Sequence, residues 1–270
     1  MLKRGIYEQV RNREISKEID ANNDIITKLE KIDQAESSTI LAKYITEIIE
    51  KNNCRWVNLQ NIAQAKRDIR ISAQLNPQGV LTGMVRCTSL NNLAARVRVD
   101  FKHAKDSATF VSQKAREEGI EITKYSISDR TSFSPSVCED YSFSKNCEAT
   151  ADHIYVNPLV IIPINDNPFT ETERKLPIEF PYKQTILLNV HMTIPEGYVV
   201  EEKCNGARIE TPNKEISCHI KCLVDDKTSF VQYRLDINDT FFGVTDYNMV
   251  KDVYAKICEY SKNMLVLKKM

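Results

Sequence analysis

Glycine is scarce, with seven in 270 residues. No G-x-G-x-x-G or P-loop run occurs, so the glycine-built backbone cradles that hold nucleotide phosphates are excluded. Long apolar runs are missing as well: none approaches the roughly 18 residues that carry a helix across a bilayer. The N-terminus MLKRGIYEQVRNREISKEID lacks the apolar core of a secretory signal peptide, and a cytoplasmic location is expected from the chain as written. Net charge is also absent, since Lys plus Arg and Asp plus Glu both number 37. No overall basic field favours nucleic acid. Only four histidines occur, His103, His153, His191 and His219, and none stands in a nucleophile motif.

The chain does have the makings of packed structure. It is 42% hydrophobic and 27% charged, a globular composition long enough for two modest domains. Eight cysteines occur: Cys54, Cys87, Cys138, Cys147, Cys204, Cys218, Cys222 and Cys258. Their spacing is irregular and a chain of this size needs no staples, so they are read as mostly reduced structural thiols. In Cys218-His219-Ile220-Lys221-Cys222 a strand would point His219 away from the two thiols, a poor start for tetrahedral zinc. No metal or cofactor is expected. Asp225-Asp226 and the acidic group around Asp236 and Asp239 read as turn residues. Arg86, Arg96, Arg98, Lys102 and Lys105 form the best basic cluster. It lacks interleaved aromatics and reads as a solvated face.

Residues 1 to about 51 show helical spacing through Ile15, Ile19, Ile26, Leu29 and Ile32, then through Leu41, Tyr44, Ile45 and Ile48. Asp33 and Glu36 resemble a capping box between the two helices, and the second is expected to end near Lys51. From Trp56 the pattern turns to strands. KRDIRISAQL and GVLTGMVRCTSL flank NPQG, a hairpin signal. Ala108 to Glu118 reads as a helix closed by Gly119. IEITKYSISD, CEDYSFSK and EATADHIYVNPL read as strands. TILLNVHMTI, YVVEE and residues 206–210, 215–223 and 227–236 continue an antiparallel sheet. A helix through Met249, Val253, Ile257 and Tyr260 and a short strand LVLKK complete the chain. The expected class is α+β, mainly antiparallel and sandwich-like, with a helical N-terminus and a C-terminal helix. The expected units are residues 1–53 (helical), 54–164 (α+β) and 165–270 (β-sandwich-like).

Between two strand-like runs lies NPFTETERKLPIEFPY, residues 167–182. Its prolines fix φ and remove ladder donors, as suits a junction between β elements. Asn157-Pro158, Asn167-Pro168-Phe169, Arg174, Pro177, Phe180, Tyr182 and Ile194-Pro195-Glu196-Gly197-Tyr198 together resemble a module of unknown function. That module is the C-terminal β domain of bacterial multidomain transglutaminase-like proteins. The resemblance covers residues 54–270 and is most specific over 155–200. It implies a β-rich accessory domain and, for the family, an exported setting. The thiol triad of such proteins lies upstream of the position matched by Trp56, and the residues preceding Trp56 here do not carry it, so no catalytic residue is carried over. Residues 1–51 are faintly similar to the N-terminal helices of bacterial helicase or restriction-type proteins.

The expected function is therefore a non-catalytic interaction module, with protein or peptide as partner and a candidate binding loop at Asn167, Phe169, Arg174, Phe180 and Tyr182. The competing readings are a remnant of a cysteine-type hydrolase or transglutaminase-like enzyme, and DNA association through the N-terminal helices. Phe169, Phe180 and Tyr182 are expected to anchor the loop on the sheets.

Overall fold

The computed structural model describes residues 45–50, 53–58, 64–130 and 134–270. The chain falls into two compact units, residues 1–63 and 64–270. In the first, β1 (Ile45–Glu50) and β2 (Asn53–Asn58) pair antiparallel, with Glu50 opposite Asn53. This corrects the expected helix ending near Lys51: ITEIIE is mostly β-branched, and such side chains favour extended backbone. The expected helix from Ile15 to Ile32 lies outside the described residues.

The second unit is built on one eight-stranded sheet. Its hairpin is β3 (Ala65–Leu75) and β4 (Val80–Leu90). The turn matches the sequence reading: Asn76 Oδ1 accepts from Gln78 N and Val80 N at 3.0 and 2.8 Å, and Gly79 sits at φ 79°. Helices α1 (Asn92–His103) and α2 (Ser107–Glu118) follow. Asp106 caps α2 by accepting from Thr109 N at 2.7 Å, and Gly119 closes it at φ 64°. Next come β5 (Glu121–Ser128), β6 (Ser136–Asn146), the short β7 (Glu148–Ala149) and β8 (His153–Val156). The proline-rich segment then contributes only β9 (Ile178–Glu179).

The remaining strands are β10 (Gln184–Thr193), β11 (Tyr198–Glu202), β12 (Ala207–Glu210), β13 (Ile216–Val224), β14 (Thr228–Ile237) and β15 (Phe241–Phe242). Helix α3 (Tyr247–Ser261) and β16 (Leu265–Lys269) end the chain. The large sheet runs β12-β13-β14-β10-β3-β4-β6-β5. Each half is antiparallel, and the halves join edge to edge by a parallel pairing of β10 with β3. The expected boundary after residue 164 therefore does not divide the core, because each half would otherwise leave a long strand edge unpaired and the pairing removes both edges. A smaller sheet, β11-β16-β8-β7, completes the β structure together with the β9–β15 pair. The class is α+β, mainly antiparallel, with a C-terminal helix, as expected from the sequence.

Alternation divides the large sheet into two unlike faces. Ile69, Ile71, Leu81, Val85, Tyr141, Phe143, Leu188, Val190, Val231 and Tyr233 point into the core, together with Val250 and Ile257 of α3. Near the β3–β4–β6 end the same side takes Ala94 and Val97 of α1 against Val137. The opposite face carries the polar half of each strand.

Cys204 and Cys222 form a disulfide, with Cα atoms 6.2 Å apart and a sequence separation of 18. Two of the eight cysteines, read as mostly reduced, are therefore paired. The segment after β11 folds back beside β13, a proximity that spacing alone does not reveal. Closing a loop of this length contributes about 3 kcal/mol by restricting the unfolded chain. Reduction, or Cys204→Ser with Cys222→Ser, is expected to lower the urea midpoint accordingly. An unchanged midpoint would show that the bond contributes nothing to stability.

Candidate functional site

The two Asn-Pro steps do the same job. Asn157 Oδ1 accepts from Leu159 N at 2.9 Å, and its Nδ2 donates to Ser261 O at 2.8 Å. Asn167 Oδ1 accepts from Phe169 N at 2.9 Å, and its Nδ2 donates to Lys251 O at 2.9 Å. Each Asn closes an Asx turn with one atom and grips α3 with the other. Ser261 O is one of the helix's last carbonyls, which lack a partner within the helix, so Asn157 caps it. Two sites ten residues apart thus grip one helix, at its C-terminal end and near its second turn.

Within the expected binding loop, Phe169 is the hub. It is 8% exposed and meets Tyr254, Tyr247 and Phe180 edge-on at 4.9, 6.2 and 6.4 Å between ring centroids. Phe180 is half-buried, stacked on Tyr254 at 6.2 Å and edge-on to Phe242 at 5.8 Å. Tyr247 Oη and Lys251 Nζ both donate to Glu171 O, at 2.9 and 2.8 Å. Arg174 lies over the Tyr247 ring at 6.0 Å and donates to Leu176 O at 3.1 Å. Four of the five candidate residues, Asn167, Phe169, Arg174 and Phe180, therefore gather on α3. Tyr182 does not join them: it is buried with Ala65 and Leu93 instead.

A second cluster was not legible in the sequence. Beneath α2, Lys114 Nζ reaches Glu139 at 3.1 Å and Glu118 at 3.2 Å. Tyr125 Oη donates to Glu139 Oε1 and Tyr141 Oη donates to Glu118 Oε2, both at 2.7 Å. Glu139 is 1% exposed. Burial alone pulls Lys114 down, but the Glu139 and Glu118 carboxylates outweigh it and leave the ammonium above its ordinary value. Burial, then the neighbouring carboxylates, push both tyrosines up, so they remain hydrogen-bond donors. The one advance signal was Lys114 and Glu118 at helical (i, i+4) spacing. Glu139 comes from β6, and only the fold brings it there.

Four of the free thiols are shifted away from activation. Burial pushes Cys87 up to about 11 and Cys218 up to about 12. Burial raises Cys147 and Cys258 as well. A nucleophilic cysteine needs the opposite shift. His153 pairs with Glu201 at 3.0 Å and His219 lies 3.7 Å from Glu210, while His103 and His191 are exposed. Among the described residues, no group of three or more His, Cys, Asp or Glu side chains could hold a metal ion.

The expected basic cluster is scattered. Arg86 pairs with Asp140 at 2.6 Å on the sheet, and Arg96 lies 3.8 Å from Asp100 on α1. Arg98 donates to Asp129 O, Ser134 O and Ser136 O at 3.0, 2.7 and 2.8 Å. Among the described residues, no helix is long and apolar enough to cross a membrane.

Among the described residues, the polar face of the large sheet is left bare by α1, α2 and α3, which lie on the core side, although Thr185 and Ser217 on it are buried. Rows of side chains cross it from strand to strand. One row runs Leu223, Phe230, His191, Ser72, Met84, with Leu223 67%, Phe230 37% and Met84 63% exposed. A second runs His219, Arg234, Leu187, Asp68, Thr88, and a third Ser217, Asp236, Thr185, Lys66, Leu90. Charges on this face are paired within the chain: Arg70 with Asp68 at 3.2 Å, and Arg234 with Asp236 at 2.6 Å. Thr185 Oγ1 also donates to Asp236 Oδ1 at 2.7 Å.

No curated protein matches the chain. Among solved structures, a "putative protease" from Parabacteroides distasonis ATCC 8503 is similar over 44% of this chain and 24% of its own, at 13% identity and TM-score 0.37. The chain spans about a quarter of that protein's length, and likeness of this extent says nothing about activity. A family model matches a narrower span than the 54–270 of the sequence resemblance, and one that lies wholly outside residues 1–51 and their expected helicase likeness. Residues 152–267, which hold both Asn-Pro clamps, the Phe169 hub and α3, match the Domain of Unknown Function with solved-structure structure (DUF3858).

Proposed function

We propose that residues 64–270 act as a non-catalytic, protein-binding module, of the accessory kind that transglutaminase-like proteins carry at their C-terminal end. The observation that carries this reading is the bare face of the eight-stranded sheet, with Leu223, Phe230 and Met84 exposed in one row. Large apolar side chains grouped on a polar surface are a mark of association. The motif residues are directed elsewhere, inward onto α3. The raised thiols weigh against the competing reading as a cysteine enzyme. The Cys204–Cys222 disulfide supports an oxidising compartment, in keeping with the exported setting of the resembled family.

The test is to incubate the full chain with a glutamine-bearing protein and an amine donor, and separately with peptide amide substrates. No turnover sensitive to thiol alkylation is expected. A rate that alkylation abolishes, and that a single Cys→Ala change also removes, would overturn the reading.

A further inference from the structure

We infer that the bare face binds a second copy of this chain, face to face, about a two-fold axis lying between the sheets and parallel to β10. The inference rests on the binding-module reading and names its partner. The strand order places β10 at the centre of β13-β14-β10-β3-β4. A two-fold axis over β10 therefore sets β14 of one copy over β3 of the other, and β13 over β4, while each row stays over itself.

The rows are self-complementary under that operation. In the first, Leu223 faces the mate's Met84, and the two symmetry-related contacts of this kind lie four strand spacings, ~19 Å, apart. Phe230, a large ring, faces the small Ser72, and His191 meets its own equivalent. In the second row, Arg234 faces Asp68 and Leu187 meets Leu187. In the third, Asp236 faces Lys66. Both charge contacts are between opposite signs, and each is repeated by the symmetry, giving four in all. An isologous interface requires this kind of pairing, residue i to j and j to i. Between these rows lie Lys221, Gln232, Asn189, Arg70 and Arg86. Lys221 there faces Arg86, a like-charge contact that Asp140 moderates by holding Arg86 at 2.6 Å. Two sheets of the same twist stack in aligned packing about 10 Å apart, the distance over which facing side chains interdigitate. The second copy thus supplies the layer that a sandwich needs and that residues 64–270 of one chain do not.

Sedimentation velocity on the full chain tests this. The wild type is expected to be a dimer. Arg234→Asp and Asp68→Arg are each expected to sediment as monomers, because each homodimer would hold two like-charge contacts. Mixed in equal amounts, the two variants are expected to recover a dimer, since one contact is then restored with its signs exchanged and the other keeps its original Arg234–Asp68 pair. Two chains that had merely misfolded could not rescue each other. A wild type that stays monomeric overturns the inference. So does a dimer that neither substitution weakens, or a mixture that remains monomeric. The alkylation-sensitive turnover assay reads the module's non-catalytic character independently, so a catalytically silent monomer overturns the dimer alone.

Discussion

Phe169→Ala is expected to destabilise the chain by about 3–5 kcal/mol, the cost of truncating a well-packed aromatic. The ring is 8% exposed and touches Phe180, Tyr247 and Tyr254 at once. Its removal opens a hole among three rings, two on α3 and one beside β9, so the site cannot collapse by moving one element alone. The Asx turn at Asn167 remains, but it would then present a methyl group where the loop is anchored to α3. Phe180→Ala is expected to cost less, because that ring is half-buried and stacks on Tyr254 from the rim. The sequence pointed to Phe169, Phe180 and Tyr182 together as anchors; on α3 the more deeply buried of them is Phe169. Urea unfolding followed by far-UV circular dichroism measures both variants. A midpoint shift for Phe169→Ala equivalent to less than about 1 kcal/mol would show that the ring does not hold the loop.

Parts of the chain that decide their conformation locally could be read in advance. The β3–β4 hairpin follows from alternation on both sides of Asn76-Pro77-Gln78-Gly79, and the end of α2 from Gly119. Helix α1 was ambiguous because Arg-Val-Arg-Val alternates like a strand, and Asn91 at its start has φ 56° and provides no side-chain cap. The strand at 45–50 was misread for the reverse reason: Ile45, Ile48 and Ile49 fit a helical stripe as well as a strand.

What could not be read depends on distance along the chain. The parallel pairing sets Gln184 beside Ala65, and no local pattern announces it. The two halves of the sheet therefore looked like separate domains. The Asn-Pro steps were visible as motifs, but their grip on Ser261 and Lys251 is made across about a hundred residues in one case and more than eighty in the other. The bare face was legible only as polar alternation. Which rows line up across it, and hence what they could meet, depends on the register.

Lys114→Met is expected to cost about 3–5 kcal/mol, because it strands buried carboxylates without their cation. Glu139 accepts from both Tyr125 and Lys114 on Oε1, and β6 gives it no route to water. Arg67 is close enough to influence the same group of side chains but sits on β3 and cannot replace the ammonium. In the wild type the sign of the linkage is that of a raised lysine. Its contribution is complete below the unfolded-state value and is lost only as pH rises through the higher folded value, far above neutrality. Adding Glu118→Gln and Glu139→Gln removes the uncompensated charge and leaves both tyrosines an acceptor, so this triple variant is expected to regain more than half of the loss at neutral pH. Urea midpoints of the single and triple variants measure the effect. A deficit unmoved by the glutamines would mean that Lys114 does not act through its charge.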